Sequence, residues 1–183
     1  MLRNKGLLQV GGLSKDAGKT SLVLKIIAHF SKYHKIKALK ISKHQASGTV
    51  HTIKQTDGYE ISQEKSRKGI TDTSKMLKFG ACEAYYICAT DAYLKSAYDG
   101  LLSHIGQSLI VCESNSIAQF FVPDVLLICQ NSNESVKPSA LPLLQKAHKT
   151  IKTESINMLN IESLLEIKCN TWYLKKNMPA NPK

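Results

Sequence analysis

Short apolar runs alternate along this chain with longer segments in which apolar residues recur every three or four positions. The short runs predict strands, and the longer segments predict helices. Predicted strands cover residues 7–12, 36–42, 83–89, 108–112, 124–129 and 171–174, and predicted helices cover residues 19–32, 72–79, 92–104, 138–146 and 161–167. Strands that alternate with helices predict an α/β fold: a three-layer, mostly parallel sheet with helices on both faces.

The alternation runs through most of the 183 residues without an internal repeat or an interdomain linker. It predicts one domain over residues 1–176, followed by a frayed tail over residues 177–183. Residues 43–70 do not fit the alternation, because this segment is polar and basic and has few apolar residues. We expect it to be a long loop, mobile without ligand, that closes over a substrate or contacts a partner.

The most informative polar segment separates the first predicted strand from the first predicted helix. It reads Gly12-Leu-Ser-Lys-Asp-Ala-Gly-Lys-Thr-Ser21. A glycine-containing loop that ends in Gly-Lys-Thr between a strand and a helix is typical of P-loops, whose backbone N–H groups bind phosphate. The common spacing would place glycine at position 13, where this chain has Leu13, so the loop counted from Gly12 is one residue longer. The alternative is a chance Gly-Lys-Thr in a turn.

The P-loop interpretation assigns a role to each part of this segment. Lys19 would reach the β- and γ-phosphates of a nucleotide, and the Thr20 hydroxyl would bind Mg²⁺. The other members of the loop would surround the phosphates with their backbone N–H groups. The candidate nucleotide-binding residues are therefore Gly12, Ser14, Lys15, Asp16, Ala17, Gly18, Lys19, Thr20 and Ser21.

Three charged residues stand at the ends of predicted elements, where they would face the crevice at the carboxyl edge of a parallel sheet. Lys43 follows the second strand and would neutralise phosphate charge, or it is an ordinary polar strand exit. Asp72 begins a helix, where it would hold Mg²⁺ or cap the helix. Glu113 ends an apolar strand, as a Walker-B carboxylate does. Lys19, Lys43 and Glu113 are the candidate catalytic residues, and Thr20, Asp72 and Glu113 are the candidate Mg²⁺ ligands.

These motifs together resemble a family. The loop at 12–20, the pair Lys43-His44, the segment 72–81 and the strand that ends in Glu113 occur in the order seen in MobB-type proteins. Those are the P-loop accessory proteins of molybdopterin-guanine dinucleotide biosynthesis. The loop spacing and Lys43-His-Gln-Ala-Ser-Gly48 also resemble dethiobiotin synthetases, which share the wider fold. The resemblance covers residues 5–130, and the P-loop is its one specific motif.

The resemblance implies that Asp72 and Glu113 are the acidic residues on the metal side and that Lys43 approaches the phosphates or a second substrate. It also implies that phosphate and Mg²⁺ are held by Gly18, Lys19, Thr20 and Ser21. The chain departs from both families in one place, because Glu113 is followed by Ser-Asn-Ser rather than by a segment that contains glycine. No Asn-Lys-x-Asp sequence occurs, so guanine specificity cannot be read from the chain.

The net charge of +11 is unevenly distributed along the chain. Residues 1–80, which contain the P-loop, hold sixteen Lys and Arg against five Asp and Glu, whereas residues 81–134 hold one against six. A polyphosphate ligand explains part of this excess, and most of the lysines are expected to form a solvated surface. Nucleic acid is disfavoured as a partner, because the basic stretches have few aromatic residues and no recognition motif.

Several features predict a cytoplasmic protein. The chain contains no run of about 18 apolar residues that would predict a membrane span, so no membrane partner is expected. The first five residues lead directly into a strand, which leaves no room for a signal peptide. The five cysteines include no CxxC pair, and we expect them to be reduced and to pack as small apolar residues.

These observations predict Mg²⁺-dependent binding of ATP or GTP and slow hydrolysis, in a MobB-like role in cofactor biosynthesis. One alternative is an ATP-dependent ligase or kinase, as the resemblance to dethiobiotin synthetases implies, with a small molecule as its second substrate. Another is a nucleotide-dependent adaptor that acts on a partner enzyme without significant turnover. Homodimerisation that depends on nucleotide would favour the adaptor.

Overall fold

The computed structural model describes residues 2–45, 50–137 and 140–175. Within these ranges the central sheet contains the strands β1 (Leu2–Gly12), β2 (Ile36–Ser42), β3 (Val50–Gln55), β4 (Tyr59–Glu64), β5 (Glu83–Ala89), β6 (Leu109–Glu113), β7 (Phe121–Gln130) and β8 (Lys149–Lys152). The helices are α1 (Lys19–Phe30), α2 (Asp72–Lys78), α3 (Asp91–Ile105), α4 (Leu141–Gln145) and α5 (Ile161–Leu164). Strands β9 (Leu165–Lys168) and β10 (Thr171–Leu174) form a separate hairpin.

The central sheet is mixed but mostly parallel. Its strand order is β3-β4-β5-β2-β6-β1-β7-β8. Every neighbouring pair from β5 to β8 is parallel, and only β3, β4 and β5 pair antiparallel. The middle strands are buried on both faces, which explains their continuous apolar runs: all five residues of β6 are buried. The expected α/β fold with a mostly parallel sheet is thus confirmed.

Helices cover both faces of this sheet, as a three-layer arrangement requires. On one face α1, α2 and α5 pack with the β9–β10 hairpin, through residues such as Ile26, Met76 and Trp172. On the other face α3 packs over Leu39, Ile61 and Ile87, while α4 covers part of β7. The carboxyl ends of β1, β2 and β6 are left open between these layers, and the candidate site lies there.

The segment predicted as a long loop, residues 43–70, is a different structure in its described part. Strands β3 and β4 form a hairpin that extends the sheet beyond β5. The expectation was wrong for a physical reason: β3 is an edge strand with mostly exposed side chains, and two of the buried residues of β4 are the polar Ser62 and Glu64. Polar residues in these positions removed the alternation that identifies a strand. Residues 46–49 lie outside the described residues.

The C-terminal part also differs from the prediction. The helix expected over 161–167 ends at Leu164 and continues as β9, and β10 matches the predicted strand but pairs with β9. Strand β8 was missed because only Ile151 among its four residues is buried. The helix expected over 138–146 is α4, which covers Leu141–Gln145; residues 138–139 and the tail 177–183 lie outside the described residues.

Two further findings concern the cysteines and the length of the apolar helices. All five cysteines are free, and Cys112 and Cys129 are buried as expected, whereas Cys82 and Cys169 are exposed. No helix in the described ranges is both long enough and apolar enough to cross a membrane.

Trp172 joins the C-terminal hairpin to the sheet. Its ring is 1% exposed and makes an edge contact with Phe30, with 5.0 Å between ring centroids. The indole Nε1 donates to the carbonyl of Gly6 at 3.0 Å, and Asp124 Oδ2 accepts from the backbone N–H groups of Gly6 and Trp172. Gly6 has φ +89, and a side chain there would meet the Ser108 carbonyl oxygen, so only glycine fits this junction.

We predict that Trp172→Ala lowers the free energy of unfolding by about 3–5 kcal/mol, because it removes the largest buried side chain of this interface and leaves a cavity. Urea denaturation followed by far-UV circular dichroism measures the change. Tryptophan fluorescence cannot be used, because the variant lacks the single tryptophan of the chain. The neighbouring Tyr173, which is 43% exposed, supplies the control Tyr173→Ala, with an expected change within about 0.5 kcal/mol. Equal losses in the two variants would contradict this role for Trp172.

Candidate functional site

The loop between β1 and α1 is anchored at its start by backbone bonds. The Leu13 N–H donates to the carbonyl of Cys129 at 3.0 Å, and its carbonyl accepts from the Lys137 N–H at 3.0 Å. The Leu13 side chain is 1% exposed and packs with Ile128 and Leu143. The residue that lengthens the motif therefore extends β1 and fills the core, and the turn itself begins after it.

Two glycines allow the loop to fold back on itself. A Cβ at Gly12 would lie 3.0 Å from Cγ of Lys19 and 3.1 Å from Cβ of Ala17, so the lysine stem packs directly on the glycine. Gly18 has φ +86 and forms the N-cap of α1, where a Cβ would meet Ile156. Asp16 also has a left-handed backbone, with φ +50. The loop thus approaches α1 in a tight turn that side chains would block.

The backbone N–H groups of this turn have no acceptor among the described residues. Across residues 14–21, none of the eight N–H groups donates to an acceptor in the described part of the chain. The Ser14 Oγ is also buried without a described partner. Free N–H groups at a turn and at a helix N-terminus create a region of positive potential that is suited to an anion.

The turn forms one wall of a cleft of about 470 Å³. Lys19 lines it and forms no ion pair with any described residue, so its charge is available to a ligand. The opposite wall carries Asp72 and Glu113. The full lining consists of Lys15, Asp16, Ala17, Gly18, Lys19, Thr20, Ser21, Lys40, Asp72 and Glu113.

Glu113 is the buried carboxylate of the cleft, at the end of β6 and 2% exposed. Its Oε2 accepts a hydrogen bond from Thr20 Oγ1 at 2.9 Å, and its Oε1 accepts from Lys40 Nζ. Lys40 also donates to Asp72 Oδ2 at 2.9 Å. The structure therefore brings together three of the residues predicted from the sequence and adds Lys40, which sequence reasoning missed.

Lys40 carries its charge despite partial burial. Burial lowers the pKa of Lys40, but the charges of Glu113 and Asp72 and the hydrogen bonds to them outweigh it, so the pKa is raised. The ion pairs therefore stabilise the fold at neutral pH, and this contribution disappears as the pH rises through the raised pKa. The sequence did contain a signal for Lys40: it lies within the largely apolar strand β2, and a lysine that is partly buried there needs a carboxylate partner.

Asp72 is the first residue of α2, but it is not the N-cap. Thr71 holds that position, and its Oγ1 accepts from the Ser74 N–H at 3.1 Å. The buried Glu64 accepts from the hydroxyls of Thr71 and Thr73, at 3.0 and 3.3 Å, and from two backbone N–H groups after β4. The hairpin therefore holds the start of α2 in place through Glu64. The Asp72 carboxylate takes no part in the helix cap and faces the cleft, where Lys40 binds it.

Lys43 lies outside the cleft lining. It is exposed, and its Nζ pairs with Asp91 Oδ2 at 2.7 Å. Lys40, three residues earlier and within β2, lies between the two carboxylates instead. The role expected of Lys43 toward phosphate or a second substrate stays a prediction.

Asn115 is a second residue that sequence reasoning missed. Its side-chain amide binds the backbone of Gly12 in both directions: Nδ2 donates to the Gly12 carbonyl, and Oδ1 accepts from the Gly12 N–H, both at 2.8 Å. The Ser-Asn-Ser segment after Glu113 thus ties the end of β6 to the start of the loop. The Gly12 N–H is already bonded, so Gly12 contributes through its lack of a side chain.

A larger cavity, of about 530 Å³, lies at the opposite, amino-terminal edge of the sheet, beside Lys37 and Cys82. There Lys37 pairs with Glu83 at 2.7 Å, which neutralises both charges. The cleft at the loop is the better candidate for a functional site, because a free lysine lies there beside the free N–H groups of a helix N-terminus.

Comparison with protein-family models, with curated proteins and with solved structures finds no match to this chain. The resemblance to MobB-type proteins and dethiobiotin synthetases stays a prediction.

We predict that Asn115→Ala speeds amide hydrogen exchange at Gly12 and lowers the free energy of unfolding by about 1–3 kcal/mol. The reason is that both backbone groups of Gly12 lose their partner. Gln119→Ala, at an exposed position nearby, is the control and should change neither. Unchanged exchange at Gly12 in the Asn115 variant would show that the amide does not hold the loop.

Proposed function

We propose that this protein is a P-loop nucleotide-binding protein that binds ATP or GTP with Mg²⁺ and hydrolyses it slowly. The observation that carries the proposal is the turn at residues 14–21, whose eight backbone N–H groups have no acceptor in the described part of the chain. An array of free donors beside an unpaired lysine matches the charge and the oxygen-rich surface of a polyphosphate.

In this proposal the β- and γ-phosphates lie in the turn. The N–H groups of residues such as Ala17 and Gly18 donate to phosphate oxygens, and the Lys19 ammonium neutralises their charge. Lys15 and Asp16, at the exposed rim, are available to contact the rest of the ligand. Lys19 is held for this role because its stem packs on Gly12.

The residues around the cleft fit a Mg²⁺ ion that arrives with the nucleotide. No group of three His, Cys, Asp or Glu in the described ranges could hold a metal by itself. The Thr20 hydroxyl and the carboxylates of Glu113 and Asp72 are nevertheless hard oxygen ligands of the kind Mg²⁺ prefers. Mg²⁺ commonly uses one or two carboxylates together with substrate phosphates; here Asp72 and Glu113 would supply the carboxylates and the nucleotide the phosphates.

Hydrolysis in such a site depends mostly on positioning and on stabilisation of charge. Lys19 would stabilise the charge that develops on the transferred phosphoryl group. Among the described residues, the cleft lining contains no histidine, Asp72 and Glu113 are assigned to the metal, and Asp16 lies at the exposed rim, so no group is placed as a strong base for water. Slow turnover is consistent with this arrangement. A cytoplasmic, MobB-like role in cofactor biosynthesis rests on the sequence resemblance alone.

One feature favours a second function, transfer to a small acceptor. A further cavity, of about 260 Å³, adjoins the cleft and shares Lys40 and Asp72 with it. Its other walls include Thr71, Tyr86 and the exposed Ile70. A ligase or kinase needs such a pocket for its second substrate next to the phosphates. Stimulation of ADP release by a small molecule would favour this function over simple hydrolysis.

We predict that Lys19→Ala weakens nucleotide binding about 100-fold or more while the protein still folds. The substitution removes an unpaired ammonium whose stem packs on Gly12 within the turn, and charge-assisted bonds to phosphate are strong. Calorimetric titration with ATP and with GTP, each with Mg²⁺, measures the loss and reports which base is preferred.

The matched control is Lys32→Ala, which removes an exposed lysine just beyond the other end of α1. Its nucleotide affinity should equal that of the wild type. Circular dichroism confirms that both variants fold. If Lys19→Ala binds either nucleotide as tightly as the wild type does, the phosphate assignment is wrong.

A further inference from the structure

Lys40 occupies the position between the two carboxylates that would bind the metal. It lies in the middle of β2 and is in register with Glu113 on the neighbouring parallel strand β6. Residues in register point to the same face of a sheet, so the backbone directs the ammonium toward Glu113. Asp72 reaches the same ammonium from the start of α2, at 2.9 Å.

Three of the four carboxylate oxygens of this cluster already have donors. On Glu113, Oε1 accepts from Lys40 and Oε2 accepts from Thr20. On Asp72, Oδ2 accepts from Lys40. The three charges sum to −1, and the ammonium sits between the two negative groups. A divalent cation that approaches these oxygens must therefore compete with a cation that belongs to the protein itself.

We propose that Lys40 is the built-in counter-ion of this site, and that its ammonium and a divalent cation are alternative occupants of the Asp72–Glu113 carboxylate pair. The inference rests on the proposed function, because it assigns a positioning role within the same cleft. Lys40 lines the cleft that the turn at 14–21 also lines. A polyphosphate in that turn would give the displaced ammonium a new negative partner, so binding of the metal and of the nucleotide would be coupled.

This arrangement has two consequences. Without nucleotide, Lys40 keeps the affinity for divalent cations low, because nothing else compensates its charge once it leaves the carboxylates. With nucleotide, the phosphates both add ligands for the metal and attract Lys40. The protein would thus respond to the metal–nucleotide complex rather than to the free ion.

The chain offers a matched control on the same strand. Lys37 also lies on β2, its side chain is 19% exposed like that of Lys40, and it pairs with Glu83 at 2.7 Å. It lies at the other end of β2, away from the cleft. Lys37→Met therefore removes a lysine of equal side-chain exposure that also forms a carboxylate ion pair, and it leaves the candidate metal position untouched.

The experiment measures Mn²⁺ binding by electron paramagnetic resonance in nucleotide-free wild type, Lys40→Met and Lys37→Met. Lys40→Met should bind Mn²⁺ at least about tenfold more tightly than the wild type, because a competing positive charge is removed. Lys37→Met should match the wild type. Addition of a non-hydrolysable triphosphate analogue should narrow the difference between Lys40→Met and the wild type, because the phosphates draw Lys40 away.

Unchanged or weaker Mn²⁺ binding in Lys40→Met would overturn the proposal and leave Lys40 as a structural partner of Glu113. If Lys40→Met does not fold, the double variant Lys40→Met/Glu113→Gln is compared with Glu113→Gln. Loss of the ammonium must then raise the Mn²⁺ affinity in that background, and failure to do so overturns the proposal.

A nucleotide titration of the wild type separates the two proposals. If the wild type binds the triphosphate analogue but the Lys40 variants do not gain Mn²⁺ affinity, only the role of Lys40 is wrong. If the wild type binds no nucleotide, the proposed function is wrong, and the nucleotide-free Mn²⁺ comparison alone decides whether Lys40 competes with a divalent cation.

Discussion

The site depends on the pairing of one buried carboxylate, that of Glu113. A carboxylate that is 2% exposed must be paired, because an unpaired buried charge is costly. Its partners come from different elements: Thr20 from the start of α1 and Lys40 from the middle of β2. Lys40 in turn binds Asp72 at the start of α2. One buried charge therefore sets the relative positions of the loop, two strands and two helices at the carboxyl edge of the sheet.

The turn before α1 is held in place from outside so that its own N–H groups stay free. Asn115 binds the backbone of Gly12, Leu13 bonds to β7, and Thr153 Oγ1 donates to the carbonyl of Ala17 at 2.7 Å. These contacts use carbonyl groups of the turn and the residues around it, but none uses an N–H group of residues 14–21. A preorganised set of donors loses little entropy when an anion binds.

The sequence predicted those strands and helices in which the pattern of apolar residues follows the pattern of buried positions. Strands β2, β5 and β10 have the predicted bounds, because apolar runs there correspond to buried strands. The β3–β4 hairpin was missed because it lies at the sheet edge and buries polar residues such as Glu64. At the site, Thr20 was predicted from the Gly-Lys-Thr motif, and Asp72 and Glu113 from their positions at the ends of elements; all three line one cleft. Lys40 and Asn115 were missed because their roles depend on strand register and on a contact 103 positions apart in the chain.

The most direct test of this account is a two-dimensional amide NMR titration of the protein with Mg²⁺ and a non-hydrolysable triphosphate analogue. The account predicts that the largest shift changes fall on the amides of residues 14–21, whose N–H groups would donate to the phosphates. The amides beside Lys37 and Cys82, at the cavity on the opposite edge, should not change. Changes centred on that opposite cavity, or none at all at saturating ligand, would contradict the central claim.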